Sequence, residues 1–212
     1  YIEIEGTDLS YGRSPDGAGN WTLFLEPTPG NSNTTHGYNG YSAAKVEMSL
    51  PGGFYDTEIS VELTIDSNEA EIRYTIDGSE PTKSSLPYIS AVSIDTTTVV
   101  RARAFEGNLF PGPIYTQTFF IDENNNLPVI SLSTNPDNFF GGEIGIYVEG
   151  IDKDIPDFNY RQDWERPIHM ELYEPDGNLG FSLDGGVKIS GLVINSFAQK
   201  PFALYARPKY GS

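Results

Sequence analysis

The stretch that decides the fold is Tyr74-Thr75-Ile76-Asp77-Gly78-Ser79-Glu80-Pro81-Thr82, which lies between two runs of alternating apolar residues. Its centre predicts a tight turn, because glycine accepts a positive φ and aspartate bonds its own downstream backbone. Pro81 then fixes the backbone where the chain leaves the turn. Residues 71–76 alternate polar and apolar side chains, a pattern typical of a half-buried strand. The stretch therefore predicts a β-strand that ends in a tight turn.

The surrounding residues repeat this combination of short strand and turn. Further strands are predicted at residues 46–50, 59–65, 97–105 and 114–121. Short strands at regular intervals with turn residues between them are typical of an antiparallel sandwich. We therefore expect an all-β protein with an Ig-like antiparallel β-sandwich over residues 45–122.

Composition agrees with this fold class and excludes several kinds of function. The chain has 212 residues, and its many aromatic and β-branched side chains favour strands over helices. It contains no cysteine, which excludes disulfides, thiolate metal sites and a cysteine nucleophile. The formal net charge of -17 opposes contact with nucleic-acid phosphates and anionic membranes. No apolar run approaches the roughly 18–20 residues that span a bilayer, so we expect neither nucleic-acid binding nor membrane insertion.

Several phrases of this region carry a family resemblance. They are Gly52-Gly53-Phe54-Tyr55, the stretch 74–82, Tyr88 and Val100-Arg101-Ala102-Arg103-Ala104. Together they resemble the small Ig-like β-sandwich that follows the catalytic domain of chitobiases and is widely reused in secreted bacterial proteins. The resemblance implies an accessory module of a modular extracellular protein rather than a compact enzyme.

Residues 1–40 resemble the last strands of a lamin-tail domain, an Ig-like module of exported bacterial proteins. The matching features are Gly12-Arg13, the turn at Asp16-Gly17, Trp21, and a closing Thr-Pro-Gly-x-x-Asn at 28–33. We expect this segment to be the end of such a domain plus a linker, with a first strand at residues 1–5 and Trp21 as its core anchor.

Residues 127–212 resemble the N-terminal part of the spore-coat CotH family, whose members look like divergent protein kinases. The phrases that carry the resemblance are Gly145-Ile146-Tyr147-Val148-Glu149-Gly150, Trp164-Glu165-Arg166-Pro167, Val187-Lys188-Ile189-Ser190-Gly191, Gln199-Lys200-Pro201-Phe202 and Tyr205-Ala206-Arg207. Since a CotH domain is several times longer, the downstream remainder of that domain is an expected partner. The chain starts at Tyr1, so we expect it to be an excised segment.

The kinase-like resemblance implies that Lys200, Lys188 and Arg207 contact ATP phosphates, since a lysine on a strand can hold phosphates as a point charge. Each lysine also fits a solvated strand residue, and Pro201 removes a backbone donor beside Lys200. The metal-binding carboxylates and catalytic aspartate of the family are expected further downstream. We therefore expect no catalytic residue and no cofactor in this segment, with ATP and Mg²⁺ belonging to the full-length protein.

Two other groups of residues suggest sites. Asp152, Asp154 and Asp157 are a candidate Ca²⁺ site, because calcium takes hard oxygen ligands on flexible loops. The spacing is not that of an EF-hand loop, and a solvated acidic loop explains these residues better. His36 and His169 are the two histidines and lie in different predicted domains. They predict neither a histidine metal site nor a Ser-His-Asp triad, and we expect His169 at a surface or an interface.

The sequence favours a non-catalytic spacer that presents a larger domain of a secreted or cell-surface bacterial protein, with a cell-surface polysaccharide or protein as a further partner. One alternative is part of an ATP-dependent atypical kinase. The other is a carbohydrate-binding module, in which the aromatic rings of Tyr55, Tyr74, Tyr88 and Tyr115 stack on sugars. These rings fit a sandwich core better, because aromatic side chains are favoured on strands and fill such cores.

Overall fold

The computed structural model describes residues 9–123, 126–151, 158–191 and 197–210, and over these ranges the chain is nearly all β. The strands are β1 (Ser10–Arg13), β2 (Trp21–Phe24), β3 (Gly37–Tyr38), β4 (Val46–Met48), β5 (Gly53–Tyr55), β6 (Ile59–Val61), β7 (Leu63–Ile65), β8 (Ala70–Thr75), β9 (Leu86–Pro87), β10 (Val92–Ile94), β11 (Thr98–Glu106), β12 (Ile114–Ile121), β13 (Val129–Ser133), β14 (Arg166–Tyr173), β15 (Leu179–Ile189) and β16 (Phe202–Tyr205). Helix α1 spans Pro136–Phe140, and 3-10 turns span Asn159–Arg161 and Pro208–Tyr210. The strand predicted at residues 1–5 lies outside the described residues.

The centre of the molecule is a sandwich. One side is a five-stranded sheet in the order β5-β12-β11-β8-β9, and the other is formed by the pairs β4–β7 and β6–β10. Val61, Val100, Ala102 and Phe119 have no exposed surface and belong to one core cluster. β5 and β12 are parallel, whereas β11 runs antiparallel to both of its neighbours. The expected all-β, Ig-like sandwich is confirmed.

Residues 59–65 were expected to form one strand, and this prediction is wrong. β6 pairs with β10, whereas β7 pairs with β4. Val61 and Leu63 are both buried while Glu62 between them is exposed. Because the inward side of both strands faces the same core, the alternation of residues continues across the break and does not reveal that the chain changes partner.

A four-stranded antiparallel sheet in the order β13-β14-β15-β16 follows the sandwich. Ile168 and Met170 on β14 belong to a second core cluster with Ile146, Val187 and Ile189. Between them along the strand, His169 and Glu171 are also buried. β14 is therefore covered on both faces, and its polar face is the one that meets the sandwich.

The residues at the start of helix α1 are ones that favour a helix N-terminus. The Oδ1 atom of Asn135 accepts a hydrogen bond from the backbone N–H of Asp137 at 3.1 Å, and Pro136 occupies the first helical position. This cap satisfies a backbone donor that the first turn of a helix leaves free.

The N-terminal sheet has the order β1-β2-β3 and buries Leu23 and Phe24. Trp21 was expected to anchor its core, but its side chain is 48% exposed. β3 pairs with Leu23 and Phe24, so among the described residues the sheet has only two strands at the level of Trp21. Trp21 instead stacks on Tyr11, with 5.4 Å between ring centroids.

Candidate functional site

The contact between the five-stranded and four-stranded sheets, here called the junction, contains a buried polar network. Tyr173 Oη donates to Glu171 Oε1 at 2.8 Å, and Thr118 Oγ1 donates to Glu171 Oε2 at 2.5 Å. Ser131 Oγ lies 2.7 Å from Thr118 Oγ1. The exposed fraction is 2% for Glu171 and 0% for Tyr173. A buried carboxylate is costly without such donors, so this network holds the two sheets in one arrangement.

Aromatic rings surround the network. Phe54 and Phe120 stack with 4.6 Å between centroids, and the ring of Tyr173 meets Phe120 edge-on at 5.4 Å. Burial raises the pKa of Tyr173, and the charge of Glu171 raises it further. The phenol therefore stays protonated and keeps its role as donor.

The turn at Asp77-Gly78-Ser79 also reaches the junction. Asp77 Oδ1 accepts from the backbone N–H of Ser79 at 3.0 Å, and hydrogen bonds from Ser79 lower the pKa of Asp77. Gly78 has a φ of +83°, and a Cβ there would lie 2.7 Å from the carbonyl oxygen of Thr134. The turn is thus confirmed, and its glycine is required both by the backbone conformation and by contact with the neighbouring sheet.

A cleft of about 300 Å³ lies beside this turn at the junction. The sandwich contributes Arg101, Arg103 and Glu80, and the four-stranded sheet contributes Ser133 and Asp184. Arg101 and Arg103 project from β11 on the face opposite the core residues, because side chains alternate along a strand. The cleft therefore combines two cations with two carboxylates.

The two arginines are held by backbone carbonyls. Arg101 Nη1 donates to Gly78 O at 2.8 Å, and Arg103 Nε donates to Gly112 O at 2.6 Å. Arg101 is 6% exposed, and burial lowers the pKa of both arginines. Within the described ranges neither guanidinium forms an ion pair. Their positive charge is consequently fixed in place without a carboxylate in direct contact.

The structure brings Ser182, His169 and Asp184 together, although the sequence predicted no Ser-His-Asp triad. His169 Nδ1 lies 2.8 Å from Asp184 Oδ1, and His169 Nε2 lies 3.0 Å from Ser182 Oγ. His169 and Asp184 are cross-strand partners on β14 and β15, a pairing that neither residue's local sequence reveals. The contacts fix the orientation of the imidazole ring and engage Oδ1 of Asp184 at the rim of the cleft. His169 is 9% exposed, so it does not lie at the surface, and its expected place at an interface stays a prediction.

Two of the residues predicted to contact ATP form ion pairs. Lys188 pairs with Asp163, and Arg207 Nη2 lies 3.1 Å from Glu165 Oε2. Glu165 also accepts hydrogen bonds from neighbouring side chains, among them that of Tyr210 at 2.8 Å. Both cations therefore have protein carboxylates as partners, and their role toward ATP stays a prediction.

Lys200 lies in a different environment. Its Nζ donates to the carbonyl oxygen of Phe197 at 2.8 Å and lies over the rings of Tyr147 and Tyr160, 5.0 and 4.7 Å from their centroids. These contacts hold the ammonium by cation–π attraction. A shallow depression of about 450 Å³ adjoins it. Contact of Lys200 with a phosphate also stays a prediction.

The candidate Ca²⁺ residues Asp152, Asp154 and Asp157 lie outside the described residues. Within the described ranges, no three histidine, cysteine, aspartate or glutamate side chains are grouped as a metal site would require. The described helices include none with the length and apolarity of a membrane span.

The four tyrosines considered as a sugar platform lie at the edge of the sandwich core. Tyr55, Tyr74, Tyr88 and Tyr115 are partly buried and pack against its core cluster. Among the exposed aromatic side chains are Phe140, Phe197 and Trp21, and the ring of Trp21 also lies beneath Arg13.

Comparison with known proteins gives one family for part of the chain. No curated protein and no solved structure matches it. The resemblances of residues 1–40 to a lamin-tail domain and of residues 127–212 to the CotH family stay predictions. Residues 50–116, which contain the turn at Gly78 and both arginines of the cleft, match the model of the chitobiase/β-hexosaminidase C-terminal domain family.

Proposed function

We propose that this chain is a non-catalytic structural segment that holds its sandwich and the following sheet in one fixed orientation and so presents the domains attached to them. The observation that carries the proposal is the buried Glu171–Tyr173–Thr118 network at the junction. The similarity of residues 50–116 to an accessory module supports it.

The chemistry of the junction favours rigidity. If the sheets separated partly, Glu171 would lose the hydroxyl of Thr118 while still shielded from water, which leaves a buried acceptor unsatisfied. The ring of Tyr173 would at the same time leave Phe54 and Phe120. Partly separated arrangements of the two sheets are therefore unfavourable, and the two sheets move as one body.

We also propose a location and a partner for the protein. The module type of residues 50–116 and the solubility conferred by a net charge of -17 support a secreted or cell-surface location. The partner proposed on the downstream side is the remainder of a CotH-like domain, which the fixed sheet would position relative to the sandwich.

A distance measurement tests the rigidity directly. The chain has no cysteine, so Ser93→Cys on the sandwich and Glu143→Cys beyond β13 can carry two nitroxide labels; both positions are exposed. Double electron–electron resonance should give one narrow distance distribution. Adding Glu171→Ala and Tyr173→Ala should broaden it, whereas Tyr88→Ala, which lies in the sandwich away from the junction, should not.

A broad distribution in the doubly labelled but otherwise unaltered protein would overturn the rigid-segment proposal. Thermal unfolding in the presence of Mg²⁺-ATP separately tests the proposal that the chain is non-catalytic. Stabilisation by ATP that Lys200→Ala abolishes would favour the kinase alternative.

A further inference from the structure

We propose that the cleft at the junction binds a compact carboxylate that also carries hydrogen-bond donors, with a uronic acid as its ligand class. The site goes beyond the structural role, but it depends on the docked arrangement of the two sheets, because residues of both form its walls.

The anion preference comes from Arg101 and Arg103. Each guanidinium has five N–H groups in a planar fork, and the carbonyls of Gly78 and Gly112 engage only one strong donor of each. Weaker contacts at 3.4 and 3.5 Å involve Thr116 and Pro111. The remaining N–H groups match the geometry of a carboxylate, which arginine binds through two parallel hydrogen bonds.

An unsatisfied hydroxyl provides the second, independent observation. Ser133 is 3% exposed, lines the cleft, and its Oγ has no hydrogen-bond partner among the described residues. Buried polar groups in native proteins are nearly always paired. The neighbouring Thr134 shows the ordinary case, since its Oγ1 donates to Pro167 O at 2.6 Å. Ser133 Oγ is thus placed to bond a ligand in the cleft.

The charges of the lining residues and the volume of the cleft restrict the class of ligand further. Glu80 and Asp184 also line the cleft, so a dianion such as phosphate would meet more repulsion than a carboxylate with one charge. The same two carboxylates accept hydrogen bonds and therefore favour a ligand with hydroxyl groups. A volume of about 300 Å³ and walls that include Pro113 and Ile114 suit a single sugar ring. A hexuronate combines these features.

The experiment is a calorimetric titration of the full 212-residue chain with sodium glucuronate. Glucose, sulfate and glutamate are titrated for comparison. We expect glucuronate to bind with a millimolar or lower Kd and glucose not to bind. A trigalacturonate titration separates a free uronate from a polymer-borne one. Tighter binding of the trimer indicates a polysaccharide source, and equal binding indicates the free acid; either result supports the site.

Ser133→Ala is the decisive variant, because it removes only an unpartnered hydroxyl and should leave the melting temperature and the label distances at the junction unchanged. Its Kd for glucuronate should rise about tenfold, the value of one hydrogen bond to a charged group. Arg103→Gln should abolish binding, and Ser93→Ala, on the exposed side of β10, should have no effect.

Failure of glucuronate and trigalacturonate to bind while the label distances stay narrow would overturn the site and leave the rigid segment standing. Unchanged affinity in Ser133→Ala, or tighter binding of sulfate or glutamate than of glucuronate, would overturn the assignment to uronates.

Discussion

Removing the hydroxyl of Tyr173 should measurably weaken the junction. The substitution Tyr173→Phe keeps the ring against Phe120 but deletes the donor that lies 2.8 Å from Glu171 Oε1. A hydrogen bond to a charged group contributes about 1.5–3 kcal/mol, and the buried acceptor left behind is then unsatisfied. We expect the free energy of unfolding to fall by about 2 kcal/mol, which corresponds to about 4–8 °C in melting temperature for a chain of this size.

Scanning calorimetry and urea unfolding at neutral pH measure this change. Tyr88→Phe is the matched control, because its hydroxyl forms no hydrogen bond with the described residues and its loss should cost less than about 0.5 kcal/mol. A double-mutant cycle with Glu171→Gln should give a coupling of about 0.5–3 kcal/mol. Equal stabilities of Tyr173→Phe and Tyr88→Phe, or additive effects in the cycle, would refute the reasoning.

Tyr173 should also make the free energy of unfolding depend on pH in the alkaline range. Burial raises the pKa of Tyr173 in the folded protein, whereas tyrosine in the unfolded chain ionises near pH ~10. Its contribution to stability is therefore complete below pH ~10 and is lost as the pH rises above that value. The stability difference between the parent protein and Tyr173→Phe should stay constant from neutrality to pH ~10 and narrow at higher pH in urea titrations.

Three further outcomes are expected. Gly78→Ala should destabilise the protein by more than about 1 kcal/mol in urea unfolding, because its φ is positive and a Cβ would meet Thr134 O. Phe24→Ala should cost about 3–5 kcal/mol, whereas Trp21→Ala, at an exposed position, should cost far less by calorimetry. Burial raises the pKa of Glu165, but hydrogen bonds from Tyr210 and Lys209 and the charge of Arg207 outweigh it and lower the pKa. Its stabilisation should therefore be present above pH ~4.3 and decline as the pH falls below it, a decline that Glu165→Gln should reduce in acid unfolding curves.

Local chemistry made the sandwich predictable. The turn at Gly78 and the cap at Asn135 depend on the conformational preferences of single residues, so their sequences determine them. Strands β8, β11 and β12 of the five-stranded sheet follow from alternation, whereas β5 and β9, with three and two residues, are too short to show it. The change of partner between β6 and β7 does not, because alternation reports which side of a strand is buried and not which strand lies beside it.

The junction and the cleft could not be predicted in this way. His169, Glu171 and Tyr173 alternate with apolar residues, a pattern that normally indicates a face in water. In the structure all three are buried, and Glu171 and Tyr173 contact Thr118 of the sandwich. Arg101 and Arg103 likewise have the sequence pattern of solvated strand residues. Only the approach of two elements distant in sequence places Ser133 beside them, and this long-range contact has no local signal.

The parallel pairing of β5 with β12 has a mechanical consequence. Gly53, Phe54 and Tyr55 pair in register with Phe119, Phe120 and Ile121, so the last strand of the sandwich lies beside one of its first. A pulling force that draws the chain before β5 and the chain after β12 apart loads these strands in opposite directions along their length. The hydrogen bonds between them are then sheared together rather than opened one at a time, and the module resists tension along the chain axis.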